Sequence, residues 1–338
     1  MRNMNRSNAL MSLGAFCLLF AACSDDGASG SHRHPAARGA TSAEEGSGAV
    51  AASTDGGDRN NGDAGPHGSS VASDGTHLSA SIIARQVQPG DEQHVCVIVE
   101  LPNTDATWVD EIHATLGSGS HHMLVDRQAP GTPTQLDPSP CPPTLASDQT
   151  RLILAQQADT VVALPSGVAF LLAPHQPLYM QLHYANVGTQ VRDIVGTVEL
   201  TRAPPTATAP VQANSILTGS FSIDLPPDTT TSVDSFYTVE PATATRHVFA
   251  LTSHMHHLGI RATIERVPSA DAPPASPIHV STSWDDPPLT QFSPPLDFTG
   301  NDGLRLTCTY DNTTAQTVNF GTATTDEMCF MWVYYFDQ

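Results

Sequence analysis

Leu178-Tyr179-Met180-Gln181-Leu182-His183-Tyr184 alternates strictly, placing Met180, Leu182 and Tyr184 on one face and Gln181 and His183 on the other. That is the signature of a half-buried strand, and the polar face it presents carries a histidine. Working outward, short apolar runs recur between Pro and Gly breaks: His94 to Leu101, Val161 to Leu164, Ile194 to Leu200, Ile216 to Leu225, Val248 to His257, Leu304 to Tyr310 and Cys329 to Phe336. None sustains a helical period, so an all-β fold is expected. The stretch Ala203-Pro204-Pro205 through Ala209-Pro210 reads as a stiff connector over 204–210. It divides the folded part into 76–203 and 211–338, the size of two tandem antiparallel β-sandwich domains.

Composition narrows the function. The 338 residues carry 34 Asp+Glu against 14 Lys+Arg, a net charge of −20, and every one of the basic residues is arginine. So acidic a chain is a poor partner for nucleic acid. The lack of lysine removes Schiff-base chemistry and the phosphate-loop lysine.

The N-terminus reads as an export signal over 1–22. Arg2 and Arg6 precede an apolar run from Leu10 to Ala22, too short to span a bilayer, which ends Phe20-Ala21-Ala22-Cys23. Small residues before a cysteine resemble the lipobox of bacterial lipoproteins, with Cys23 the lipidated first residue; an ordinary secretory signal is the alternative. On either reading the protein leaves the cytoplasm. With a lipid at Cys23 it is anchored at the bacterial cell envelope, and because cleavage deepens the charge to −22, the lipid alone makes the attachment. Residues 23–75, rich in Gly, Ser, Ala and Asp, read as a disordered tether. His32, His34 and His67 are expected to be solvated within it.

Four cysteines remain after the leader and Cys23. An exported compartment is oxidising, and the split of two per half suggests one bridge in each, Cys308 with Cys329 and Cys96 with Cys141, among three possible connectivities. No C-x-x-C spacing points to a cysteine metal site.

Three histidine constellations stand out of 15 histidines. His121-His122-Met123 follows Gly117-Ser118-Gly119-Ser120; strand neighbours point to opposite faces, so this pair shares a metal only where the strand kinks. His183 on its strand, taken alone, is more often structural than a ligand. In Ser253-His254-Met255-His256-His257-Leu258-Gly259 the residues 254 and 256 project from one face in a chelating arrangement, and His257 points away. Met328, in Asp326-Glu327-Met328-Cys329, would by default be core filler. Beside two imidazoles its thioether makes a ligand set that suits copper in both oxidation states better than zinc or magnesium.

With these motifs in order, the chain resembles the copper type II ascorbate-dependent monooxygenases, which include the peptidylglycine α-hydroxylating and dopamine β-monooxygenases. The resemblance covers both halves and omits the leader and tether. It implies two jelly-roll-like sandwiches facing each other across a solvent-filled, copper-bearing cleft. One copper would sit on His121, His122 and His183, from the HHM and Q-x-H-Y motifs, and pass electrons. The other would sit on His254, His256 and Met328, from H-x-H and D-E-M-C, and activate dioxygen to hydroxylate a substrate C–H bond. Ascorbate or another one-electron donor would reduce both. Cys308 and Cys329 also fall where the family's second domain carries a disulfide.

The chain departs from the peptide-hydroxylating members around the expected substrate pocket. Thr252 replaces an arginine that pairs with the substrate carboxylate, and Phe330 and Trp332 replace asparagine and tyrosine. The expected pocket is therefore apolar, and its substrate a small organic molecule. A copper-binding lipoprotein without turnover is the alternative, since ligands alone do not make a catalyst. A structural sandwich with incidental histidines is the third reading.

Overall fold

The computed structural model describes residues 67–141, 150–239, 245–300 and 302–338. The leader, Cys23 and nearly all of the tether lie outside the described residues. Among the described residues there is no helix, and none long and apolar enough to cross a membrane.

The first half supplies β1 (Ser69–Ser73), β2 (His77–Val87), β3 (Glu92–Glu100), β4 (Thr107–Leu116), β5 (Ser120–Arg127), β6 (Gln135–Pro140), β7 (Thr150–Ala155), β8 (Asp159–Ala163), β9 (Val168–Leu172), β10 (Pro177–Ala185) and β11 (Arg192–Arg202). The second half supplies β12 (Val211–Ser220), β13 (Asp224–Leu225), β14 (Thr229–Thr238), β15 (Arg246–His254), β16 (Gly259–Val267), β17 (Pro277–Ser281), β18 (Thr290–Phe298), β19 (Gly303–Asn312), β20 (Val318–Asn319) and β21 (Cys329–Asp337).

Residues 69–73 were expected in the tether, but they form β1. Small side chains suffice there because the strand contributes backbone pairing to β2 from Ser69↔Ile82 to Ser73↔Leu78, and Ser70 shares a hydroxyl hydrogen bond with Ser81.

Two sheets pack in each half. In the first, β6-β3-β10-β5-β7 faces the strands β1-β2-β11-β4-β9; in the second, β14-β19-β16-β17 faces β12-β21-β15-β18. The second half's core includes Leu251, Ile264, Leu306, Met331 and Val333.

The halves are not separate sandwiches across a solvent-filled cleft. Val211 and Gln212 of β12 pair in parallel with Val168 and Ala169 of β9, so one ten-stranded sheet runs through both halves. The cause lies in β21, which is buried on both faces. Alternation sends Met331 and Val333 into the second core, while Trp332, Tyr334 and Phe336 join Phe249 and Ala250 in the core of the first half. A strand apolar on both faces needs cover on both sides, and the first half provides the second cover.

The bridges are Cys96–Cys141 and Cys308–Cys329. Each constrains a loop of a few tens of residues, worth roughly 3–4 kcal/mol on a chain-entropy account.

Candidate metal centre

The alternation of β10 sets the first group of candidate ligands. Met180 and Leu182 are fully buried in the core, so His183 projects from the opposite face of the sheet. His183 lies directly across from His94 on β3 and from His122 on β5. Three histidines on three adjacent strands thus form one row, and one ring nitrogen from each lies within 4.8 Å of those from the other two. Adjacent strands are about 4.8 Å apart, so a row in register brings imidazoles together without any special loop.

His121 reaches the same face through an irregularity. The β5–β10 register shifts so that Tyr184 pairs with Ser120 while His183 pairs with His122. This is a bulge, and it re-aims one side chain. Gly119, at φ 95°, makes the turn into it; a Cβ there would stand 2.9 Å from Ile194 Cδ1. His121 Nδ1 and His122 Nδ1 come to 3.1 Å.

The second group sits where β15 ends. His254 is the strand's last residue and His256 lies two positions on. The Asp326-Glu327-Met328-Cys329 segment frames them. The fully buried Glu327 carboxylate accepts the backbone N–H of His256 at 3.0 Å and of Leu258 at 2.7 Å. The Asp326 carbonyl accepts from His256 Nδ1 at 3.0 Å, and Tyr310 donates its hydroxyl to the Met328 carbonyl at 2.6 Å. Cys329 then ties the segment to β19. Burial pushes Glu327 up to about 7 despite those backbone N–H groups, which favour the carboxylate.

Hydrogen bonds also fix which nitrogen is bare. The amide nitrogen of Gln156, from the first half, donates to the Ser253 carbonyl at 2.9 Å, so its oxygen faces His254 Nδ1 at 2.6 Å. His254 must donate there, leaving Nε2 as a lone pair. His256 is held likewise, Nδ1–H to a carbonyl and Nε2 bare. His183 is reversed: Nε2 donates to the Glu92 carboxylate at 3.0 Å, so Nδ1 is bare. Glu92 also accepts from Thr324 of the second half.

The two groups adjoin. The rings of His122 and His254 lie 5.3 Å apart and those of His121 and His254 6.3 Å apart, where facing sets across solvent were expected. The shared sheet and the Gln156 bridge hold the interface closed. Between the groups is a cavity of about 40 Å³ bounded by His94, His122, His254, His256, Met328 and the apolar side chains of Leu124, Leu154, Leu217, Phe330 and Trp332. That is room for a few waters or dioxygen, not for an organic substrate. Phe330 continues into an aromatic contact with Phe221 and Phe320, and Phe221 is 60% exposed, so an apolar path leads outward.

Thr252 does not border this cavity. Its hydroxyl donates to the Pro288 carbonyl at 3.0 Å and meets the Gln156 amide. Trp332 does border it, and Arg151 lies over its ring, 5.4 Å from the centroid, and 3.8 Å from Asp126. Arg246 is committed to Asp337 through two hydrogen bonds, and Arg261 is exposed on β16.

The residues fit a copper ion. Burial lowers the imidazoles: His94 and His121 to about 4, His183 to about 2, His122 and His254 well below the usual value, and His256 downward. Neutral imidazoles are what a metal requires. His121 Nε2 and His183 Nδ1 are buried and have no hydrogen-bond partner among the described residues. Buried lone pairs left unpaired are costly, and a cation is the partner that six neutral imidazoles and a thioether suit.

Sequence reasoning missed His94, Glu92 and Gln156. His94 opens an apolar run and belongs to no motif; only strand pairing places it beside His183.

Residues 212–338 match the family model described as copper type II ascorbate-dependent monooxygenase, C-terminal domain. No curated protein sequence matches the chain. Among solved structures, one of Bacillus subtilis oxalate decarboxylase, from work on its Mn(II) centres, is 7% identical, with 78% of this chain and 69% of that chain covered and a TM-score of 0.15. Another, from work on the substrate binding mode and reaction specificity of oxalate decarboxylase, is 8% identical over the same shares, with a TM-score of 0.14. Scores this low carry no argument.

Proposed function

We propose that this protein, whose residues 212–338 match the family model of the copper type II ascorbate-dependent monooxygenase C-terminal domain, hydroxylates a C–H bond of a small organic molecule, using dioxygen and ascorbate or another one-electron donor. The observation that supports the reading is that His122 of the first expected set borders one cavity with His254, His256 and Met328 of the second, while the rings of His121 and His183 pack against that of His122. His121, His122 and His183 hold one copper, and His254, His256 and Met328 hold the other. Bound copper supplies one-electron chemistry and dioxygen activation; the soft thioether of Met328 favours the reduced ion.

The chain's own residues do the rest. Glu92, Gln156 and the Asp326 carbonyl orient the imidazoles, as outer hydrogen bonds do at metal sites. Glu327 fixes the backbone N–H groups of His256 and Leu258, and Tyr310 fixes the Met328 carbonyl. Leu124, Leu154, Leu217, Phe330 and Trp332 exclude water. Substrate enters along the Phe221–Phe330 path as the interface opens, because the closed cavity is too small.

No arginine borders the cavity among the described residues, and the buried Arg151 stands beside Asp126. A carboxylate entering here loses several kcal/mol of hydration with no cation in return. The substrate is therefore neutral and apolar or aromatic, and a glycine-ended peptide is a poor one. Export and lipid attachment through Cys23 complete the proposal; two disulfides fit an oxidising compartment.

The test compares ascorbate-driven, copper-dependent oxygen uptake and product formation with neutral benzylic or phenethyl compounds and with a glycine-extended peptide. Hydroxylation of the neutral compounds supports the reading. Turnover of the peptide alone contradicts the substrate class, and copper binding with no hydroxylated product from any of them leaves the copper-binding lipoprotein.

A further inference from the structure

His94 belongs to neither expected ligand set, yet it stands in the histidine row. It pairs with His183 across β3 and β10, and its ring lies parallel to that of His183 at 3.9 Å, with an interplanar angle of 10°. Its ring nitrogen falls within 4.8 Å of those of both His122 and His183, and it borders the cavity. His121, reached only through the bulge, is outside that close trio.

We propose that His94 is a further copper ligand, so that the first copper rests on four imidazoles, from His94, His121, His122 and His183. The inference rests on the reading that this set holds copper. Two considerations favour ligation over simple stacking, and ligation requires one of the two rings to turn out of the stack, because a metal lies in the plane of each imidazole that binds it. The row is on the cavity face of the sheet, where His94 is half-buried, borders the cavity and offers one ring nitrogen within 4.8 Å of a nitrogen from each of His122 and His183. And Cu(II) favours tetragonal coordination by nitrogen and oxygen donors, which four imidazoles supply and three do not complete. The consequence is a first copper better matched to the oxidised state than the thioether-bearing second set, a difference that suits an electron-passing site.

The experiment titrates Cu(II) onto metal-free protein in a His256→Ala background, which cripples the second set, and compares His94→Phe, His94→Gln and His183→Ala. Affinity is read by chelator competition and the number of coordinated imidazoles by electron paramagnetic resonance; far-ultraviolet circular dichroism checks folding. His94→Phe keeps a flat ring to stack on His183 and removes only the nitrogen. The proposal expects tenfold or greater loss of Cu(II) affinity in both His94 variants, at least what an outer-shell change costs, and one fewer coordinated imidazole. Unchanged affinity and spectrum in His94→Phe overturn it and reduce His94 to a stacking partner. Should His94→Phe misfold, His94→Gln gives the same comparison. If His183→Ala also keeps its Cu(II) signal, the copper reading of the whole set fails, a result separate from the failure of His94 alone.

Discussion

The two halves build their histidine groups by opposite means. The first half uses the middle of a sheet: His94, His183 and His122 stand in register on β3, β10 and β5, and the hydrogen-bonded ladder alone brings them together. The second half uses the end of a strand and an irregular segment, held by a buried carboxylate, a carbonyl, a hydroxyl and a disulfide. The first is a rigid face whose ligands are scattered in sequence. The second is compact in sequence, with its supports packed beside its ligands, and depends on polar contacts that single substitutions remove.

The difference is sharpened most by acid. In metal-free protein, seven imidazoles among the described residues have lowered proton affinity, four of them in the first half and three, including the buried His279, in the second. Below the ordinary imidazole value near 6.5 the unfolded chain binds protons that the folded chain does not, so stability falls with acidification, by up to about 1.4 kcal/mol per pH unit for each imidazole. Asp126, raised to about 6, and Glu327, raised to about 7, act in the opposite sense between their ordinary values and these. Two carboxyls and His77, which its hydrogen bond with Asp74 raises, do not offset seven imidazoles, so the melting temperature of metal-free protein falls from pH 7 to pH 5. A melting temperature that holds or rises would show that the histidine groups are not buried as described.

Met328→Ala tests the second region alone. Two imidazoles retain copper weakly while the soft ligand is gone, so turnover falls about a thousandfold, more than copper content does. Normal hydroxylation by this variant would remove Met328 from its role. Glu327→Ala strips the acceptor from two buried N–H groups and costs about 3 kcal/mol in denaturant unfolding. Glu327→Gln costs less, because an amide oxygen still accepts one of them. Equal stability of all three proteins would mean the segment is held by something else.

Gln156→Leu is the smallest effect and the most local. It frees the His254 ring without touching a ligand atom, and copper affinity at the second set drops about 10- to 100-fold while the first set is unchanged. An equal loss at both sets would show that Gln156 acts by holding the halves together rather than by orienting one ring.

Much of this was legible in the sequence, and the limits follow from the same contrast. Period-two alternation around Met180 and Leu182, and the absence of helical periods, indicated an all-β chain. The H-x-H and D-E-M-C strings identified the second group because its ligands and supports are close in sequence. The first group was legible only where motifs marked it, at His121, His122 and His183. His94 was not, because register between strands decides its neighbours and sequence does not print register. The closed interface was missed for a related reason. The double-sided apolar pattern of Cys329 to Phe336 was visible, but which sheet covers its second face is a tertiary fact. Thr252 was expected at the pocket because of the residue it replaces, whereas Gln156 and Pro288 turn its hydroxyl to other work.

The central claim is that two adjoining histidine groups each hold copper, and the direct measurement is copper stoichiometry of the purified, reloaded protein alongside His183→Ala. Two coppers per chain in the parent and one in His183→Ala, with the second set's copper still bound, is the result expected. A single copper in the parent with every ligand intact, or loss of both coppers in His183→Ala, would contradict it.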